Sequence, residues 1–274
     1  MKSKIIFCAA VMGLACSASF GAEVTPAERP VNQWDLGPEI YYSNYKESDF
    51  DVEIDGVMYG IAGAFTHHNP NHLMFKVDGH GAWGQMDYAS TASGAIDGLD
   101  DYVLEGRVVA GYDIQAKEGL FFTPFFGLGY RYLNDDSSGR ISSKGAAGYE
   151  RESSYLYSPI GAEIEILQKG GWMLGFSAEY DILWSGEQKS HLEDVSSGFT
   201  TISNDQDSGY GVRGAVKVQK KGEPFDILIE PFIRWWKVED SQVSNVTFTG
   251  AIVGYAYEPR NEAFETGVKI AILF

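Results

Sequence analysis

The sequence is poor in cysteine, in basic residues and in long apolar runs. Its two cysteines, Cys8 and Cys16, lie near the N-terminus, so the rest of the chain holds no disulfide, thiolate nucleophile or cysteine-bound metal. Asp and Glu outnumber Lys and Arg by 38 to 21, for a formal charge of −17. A field of that sign repels phosphate and excludes broad nucleic-acid binding. No apolar run approaches the roughly 18–20 residues of a transmembrane helix, which excludes a helical inner-membrane protein.

The N-terminus has the features of a secretory signal peptide. Lys2 and Lys4 precede a short apolar stretch, and Ser19-Phe20-Gly21 fits a cleavage site with small residues. We therefore predict a cleaved signal peptide over residues 1–21 and an N-terminal periplasmic segment over residues 22–33.

Beyond residue 33 the chain divides into ten segments in which apolar residues alternate with polar or small ones. They span 34–46, 57–67, 72–86, 102–115, 120–133, 153–167, 172–185, 208–219, 225–238 and 262–274. In the final segment Val268, Ile270 and Ile272 fall on one face. Glu265 and Lys269 fall on the other. This period of two predicts strands whose two faces meet different surroundings.

The connections between these segments alternate between short and long. Four are tight turns built from Gly, Pro or Asn, such as the one at residues 68–71, and five are long and rich in Ser, Gly and Asp. We predict an all-β fold, a single closed antiparallel transmembrane β-barrel over residues 34–274. It has about ten strands, with eight or twelve left open, short periplasmic turns and long extracellular loops.

This organisation resembles the outer-membrane β-barrel proteins of Gram-negative bacteria, which include porin-like barrels. The runs 125–133 and 148–155 look like uncharacterised members of that group, and Phe274 matches its aromatic C-terminal residue. The resemblance implies an outer-membrane location, contact with membrane lipid and lipopolysaccharide, and Phe274 as an assembly signal for the barrel-assembly machinery.

One face of the predicted strands is charged and would line the lumen. Its acids and bases are nearly balanced, so they can pair inside a narrow barrel and plug it. An alternative is a narrow porin-like channel for small solutes. The predicted lumenal residues are Lys76, Asp78, His80, Glu105, Arg107, Asp113, Arg131, Glu163, Glu165, Glu179, Asp181, Arg213, Lys217, Glu230, Arg234, Glu265 and Lys269.

Two short pairs carry a second resemblance. Asp78 and His80 share one face of a strand, and Glu179 and Asp181 share one face of another. With ten strands, these pairs resemble the omptin outer-membrane proteases, although their order is reversed and Glu179 replaces an aspartate. The resemblance implies that Asp78 and His80 would activate a water beside the peptide carbonyl, with Glu179 and Asp181 alongside.

The long loops are acidic and form the other candidate site. Asp97, Asp100 and Asp101 lie in one predicted loop, and Glu193 and Asp194 lie in another. Such loops suit an extracellular ligand or a divalent cation that bridges to lipopolysaccharide phosphates. We expect a monomeric envelope-structural or surface-binding protein that is not an enzyme, has no cofactor and binds no nucleic acid.

Overall fold

The computed structural model describes residues 29–47 and 49–274, so the predicted signal peptide and most of the predicted periplasmic segment lie outside the described residues. Ten long strands form the barrel: β1 (Asn32–Glu47), β2 (Val52–His68), β3 (Leu73–Ser90), β4 (Gly94–Tyr112), β6 (Leu120–Asp136), β7 (Glu150–Gln168), β8 (Trp172–Ser190), β10 (Gly209–Lys220), β11 (Asp226–Val238) and β14 (Asn261–Leu273). The shorter elements are β5 (Ile114–Lys117), a 3₁₀ turn (Leu192–Asp194), β9 (Ile202–Gln206), β12 (Ser244–Phe248) and β13 (Ala251–Ala256).

The sheet closes on itself. Each long strand pairs antiparallel with the long strands before and after it in the chain, so that β8 pairs with β10. The last long strand, β14, pairs with β1 and places Lys269 opposite Glu39. The predicted closed barrel of ten strands is confirmed. Across the described part of the chain, no helix is long and apolar enough to cross a membrane.

The outer face of the central barrel is apolar. Ile61, Val108 and Leu128 point outward with more than half of their surface exposed. Aromatic side chains such as Trp34 and Trp83 follow toward the two ends of the strands. An outer-membrane barrel presents such a band to lipid, with aromatic girdles at both interfaces.

The strands are longer on the extracellular side than predicted. The predicted loop that holds Asp97, Asp100 and Asp101 is wrong, because all three residues lie in β4, which meets β3 through a tight turn near Thr91. Asp97 and Asp100 point outward and Asp101 points inward. The segment has the polar composition of a loop because its outer face meets water rather than lipid. Glu193 and Asp194 do lie in an irregular connection, in the 3₁₀ turn.

The inside of the extracellular half is an apolar core. Tyr41, Ile54, Met58, Met86 and Val103 are buried there and belong to one packed cluster. The lumenal prediction included only charged residues, so it missed this core. In this part of the barrel the apolar side chains turn inward, away from the water outside.

Two short elements extend the extracellular side. The strands β12 and β13 form a separate hairpin, joined to the preceding loop by a ring contact of 4.9 Å between Phe199 and Phe248. Ile252, Val253 and Tyr255 on this hairpin are exposed. The last long connection therefore forms a protruding apolar hairpin.

Candidate functional site

The middle of the lumen is crossed by a network of charged side chains, called here the ionic layer. Strands all around the barrel contribute to it because each places one face inward. Its members are Glu39, Asp78, His80, Glu105, Arg107, Arg131, Glu179, Asp181, Arg213, Arg234 and Glu265.

Arg131 and Arg213 bind the central carboxylate of the ionic layer. Arg213 contacts Glu105, and its Nε lies 2.6 Å from Asp181. Arg131 lies 3.8 Å from Glu105 and also contacts Glu265. The Arg131 side chain is only 2 % exposed. A guanidinium buried this deeply is tolerated only when carboxylates surround it.

Arg234 and His80 join the other side of the ionic layer. Arg234 reaches Glu39 and Glu265, each at 3.2 Å. The two ring nitrogens of His80 lie 2.8 Å from Glu39 and 3.0 Å from Glu105. The layer therefore links strands on opposite sides of the barrel. Glu39 was absent from the predicted lumenal set, although its inward position follows from the alternation of β1.

A tyrosine completes the packing of the ionic layer. The Tyr157 hydroxyl donates to Glu105 and accepts from Arg213 at 3.0 Å. A Cβ on Gly129 would lie 2.2 Å from the Tyr157 ring, so only glycine leaves room for the ring on the neighbouring strand. Tyr157 is fully buried. No charge pattern in the sequence marks this residue.

The four residues of the protease hypothesis all lie in the ionic layer. Arg107 binds Asp78 at 2.7 Å and Glu179 at 2.6 Å, and Asp181 binds Arg213. His80 contacts carboxylates of other strands, as described above. The residues share one region of the lumen, where Asp78, Glu179 and Asp181 are each paired with an arginine and His80 contacts two carboxyl groups.

Below the ionic layer lies a lower cavity of about 120 Å³. Lys76 and Lys217 both bind Glu163 there at 3.1 Å, and Glu230 lines the same wall. Lys269 contacts Asp35.

The periplasmic end of the lumen is also charged. Arg29 binds Asp113 at 2.7 Å and Glu165 at 2.8 Å. His68 lies 2.7 Å from Asp113 as well. Arg29 precedes the predicted barrel, so the alternation of the strands gave no signal for its lumenal position.

Above the ionic layer lie two further cavities. The upper cavity, about 480 Å³, is lined by the extracellular ends of the strands and their loops. A smaller neck of about 80 Å³ lies beneath it, and Asp135 and Arg151 line both. Arg131 and Glu265 line the neck, whereas His80 and Arg213 line the lower cavity. No described residue lines both the neck and the lower cavity, and the ionic layer lies between them.

The neck holds a pair of aspartates. Asp101 and Asp135 face each other on β4 and β6. Burial and the neighbouring Asp135 raise the pKa of Asp101 to about 9. Burial also raises the pKa of Asp135. Asp101 was predicted as a loop residue, and Asp135 was not singled out.

Comparison with models of known protein families finds a match for this chain. The autotransporter beta-domain matches residues 40–218, which is more than half of the chain. The chain belongs to the autotransporter beta-domain family. It is an outer-membrane β-barrel protein, as predicted. Comparison with curated proteins gives no match.

Comparison with solved structures concerns the fold alone, and the first of the two structures that follow shares it. The outer membrane protease OmpT from Escherichia coli superposes with a TM-score of 0.57 at 11 % identity, over 93 % of this chain and 99 % of that one. The Pseudomonas putida toluene transporter TodX gives a TM-score of 0.36 at 8 % identity, over 90 % of each chain. At such low identity the likeness to OmpT concerns the barrel alone.

Proposed function

We propose that this member of the autotransporter beta-domain family is closed to solutes and acts as a surface-binding protein through its extracellular part. The ionic layer carries the proposal. It lies between the lower cavity and the neck, and its guanidinium groups contact carboxylates from opposite walls. A solute crossing the lumen would have to break several buried ion pairs, each costly to disrupt.

The extracellular part offers surfaces suited to binding. The upper cavity opens among the loops, and the β12–β13 hairpin exposes Ile252, Val253 and Tyr255. Asp97 and Asp100 add exposed negative charge on the outer wall. These features support an extracellular ligand. They also support bridging by divalent cations between the acidic wall and lipopolysaccharide phosphates.

Conductance of the purified, refolded protein in planar bilayers tests the proposal. Folding is confirmed by heat-modifiable gel mobility. We expect the protein to be silent and the Arg131→Ala/Arg213→Ala double variant to conduct, since two of the groups that cross the lumen are removed. Lys189→Ala is the matched control, because Lys189 is an exposed residue of an outer strand end, and it stays silent. Reproducible ion-selective openings of the unaltered protein would instead favour the channel.

Omptin-like proteolysis is tested separately. The ion pairs of Asp78, Glu179 and Asp181 support a structural role for these groups rather than activation of water. We expect His80→Ala to leave the cleavage of peptides by whole cells unchanged. Loss of a cleavage activity in cells with folded His80→Ala protein would favour the protease.

A further inference from the structure

The upper cavity and the neck form one path from the extracellular side down to the ionic layer. The upper walls are largely apolar, with Leu99, Tyr88, Tyr149 and Tyr257 among the lining residues. At the rim Phe50 contacts Tyr257, with ring centroids 6.1 Å apart. A cavity of about 480 Å³ with such walls holds a molecule the size of a small aromatic compound.

Acidic groups predominate along this path. The lining includes five carboxyl groups, of Glu47, Asp101, Asp135, Glu258 and Glu265, and the two guanidinium groups of Arg131 and Arg151. Neither base forms an ion pair with the aspartates of the neck, although Arg151 lies near enough to oppose the rise in the pKa of both. Arg151 contacts Glu47 and Glu258, and Arg131 contacts Glu265. Asp101 and Asp135 are therefore left without an ion pair among the described residues.

These two carboxyl groups also lack hydrogen-bond donors. The Oδ1 atoms of Asp101 and Asp135 are buried, and neither accepts a hydrogen bond from any described residue. A buried acceptor without a donor costs about 1–3 kcal/mol. A ligand that brings N–H donors and positive charge into the neck would satisfy both atoms at once.

We propose that the upper cavity and neck bind an organic cation, with its ammonium group between Asp101 and Asp135 and its aromatic or aliphatic body against the apolar wall of the upper cavity. The proposal rests on the surface-binding function above and names its ligand class. A metal ion fits the neck less well, since the described residues contain no cluster of three or more acidic, histidine or cysteine ligands. An anion is excluded by the surplus of carboxyl groups.

Isothermal titration calorimetry on the refolded protein in zwitterionic detergent tests the proposal. The probes are tryptamine, indole-3-ethanol and indole-3-propionate, which share one ring and differ in charge. We expect tryptamine to bind at least tenfold more tightly than the alcohol, and the carboxylate not to bind. Equal affinity for the three probes, or no binding of tryptamine, would overturn the proposal.

Paired variants locate the site. Asp101→Asn/Asp135→Asn keeps the side-chain shape and removes both acidic groups, and we expect it to weaken tryptamine binding at least tenfold. The matched control is Asp100→Asn/Asp136→Asn, which removes the neighbouring outward-facing carboxylates and leaves the affinity unchanged. Equal affinity of the two folded double variants would overturn the proposal.

The two proposals fail in different ways. If the protein does not conduct in planar bilayers and does not bind tryptamine, the proposed ligand class is overturned and the closed barrel is retained. Conductance by the unaltered protein overturns the closed barrel, while tryptamine binding that depends on Asp101 and Asp135 still supports the cation site.

Discussion

The membrane-embedded half of the barrel and its extracellular half place their apolar and charged residues on opposite faces of the strands. In the membrane, aliphatic residues such as Val108 face outward and charged residues such as Arg107 face inward. In the extracellular half, Asp100 faces outward and Leu99 is buried inside. The same alternation thus encodes two arrangements, because the surroundings outside the strand change from lipid to water.

The two halves also differ in how their charges are satisfied. In the ionic layer Arg107, Arg131, Arg213 and Arg234 each contact two or more carboxylates. In the neck the buried Oδ1 atoms of Asp101 and Asp135 have no donor among the described residues. The ionic layer also holds buried atoms without a hydrogen-bond partner, such as Asp78 Oδ2 and Asp181 Oδ1, but guanidinium groups pair with those two carboxylates, whereas no ion pair among the described residues reaches the aspartates of the neck. An ion-paired network suits a structural barrier, and carboxyl groups without an ion pair suit a site that receives a ligand.

The largest effect is expected from breaking the ionic layer. Arg131→Ala leaves Glu105 and Glu265 buried with one cation fewer, which should cost about 3–5 kcal/mol of stability. The temperature at which the heat-modifiable gel band is lost measures this change. Arg260→Ala is the control, because Arg260 pairs with Asp49 on the surface, and we expect no measurable shift. Equal effects of the two variants would contradict the distinction between interior and surface pairs.

The next effect tests the apolar core of the extracellular half. Met58→Ala removes a side chain that is 2 % exposed and leaves a cavity, for a loss of about 2–4 kcal/mol. The neighbouring Val57→Ala changes an outward-facing side chain and should cost less than about 1 kcal/mol. Urea unfolding from lipid vesicles compares the two. A larger loss for Val57→Ala would mean that the faces are reversed.

A smaller effect is expected from the aspartates of the neck, which should make the free energy of unfolding depend on pH. The pKa of Asp101 is raised to about 9 by burial and by Asp135, against about 4 in an unfolded chain. Between these values the folded protein holds a proton that the unfolded chain has lost, so the free energy of unfolding falls as the pH rises.

Asp101→Asn removes this dependence. We expect the variant to be more stable than the unaltered protein at pH 8, by about 1–2 kcal/mol, and similar at pH 4. Loss of the heat-modifiable gel band at the two pH values measures it. Asp100→Asn should show no such difference. An equal gain in stability for Asp101→Asn at both pH values would contradict the raised pKa of the buried Asp101 carboxyl group.

The smallest effect concerns the outer wall. If divalent cations bridge Asp97 and Asp100 to lipopolysaccharide, chelation with EDTA should weaken co-sedimentation with lipopolysaccharide a few-fold. The Asp97→Asn/Asp100→Asn variant should lose most of that sensitivity, with its thermal stability unchanged. If EDTA does not change the co-sedimentation of either protein, divalent cations do not bridge the outer wall to lipopolysaccharide.

The sequence predicts the barrel well because one face of each strand meets lipid and the other faces the lumen. Apolar and polar residues therefore alternate along every strand. Arg107 and Arg213 could be assigned to the lumen from this alternation alone. It does not show which carboxylate each guanidinium contacts, since those contacts join strands far apart in the chain, as for Arg131 and Glu265.

The extracellular half was harder to predict for a physical reason. Asp97 and Asp100 made a strand look like a loop, because water tolerates charges that lipid would exclude. Asp101 and Asp135 meet only through the pairing of β4 with β6. Their inward direction depends on where the strand begins, and neither residue carries a motif.

The most direct test of the closed barrel is thiol labelling from the extracellular side. Cys8 and Cys16 lie in the predicted signal peptide, so single cysteines can be introduced at Ser93, which lines the upper cavity, and at Ser177, which lines the lower cavity. The protein is folded into liposomes with its extracellular side outward and treated with a membrane-impermeant maleimide. The account predicts rapid labelling of Ser93→Cys and labelling of Ser177→Cys only after unfolding in urea. Equally rapid labelling of both folded variants would contradict it.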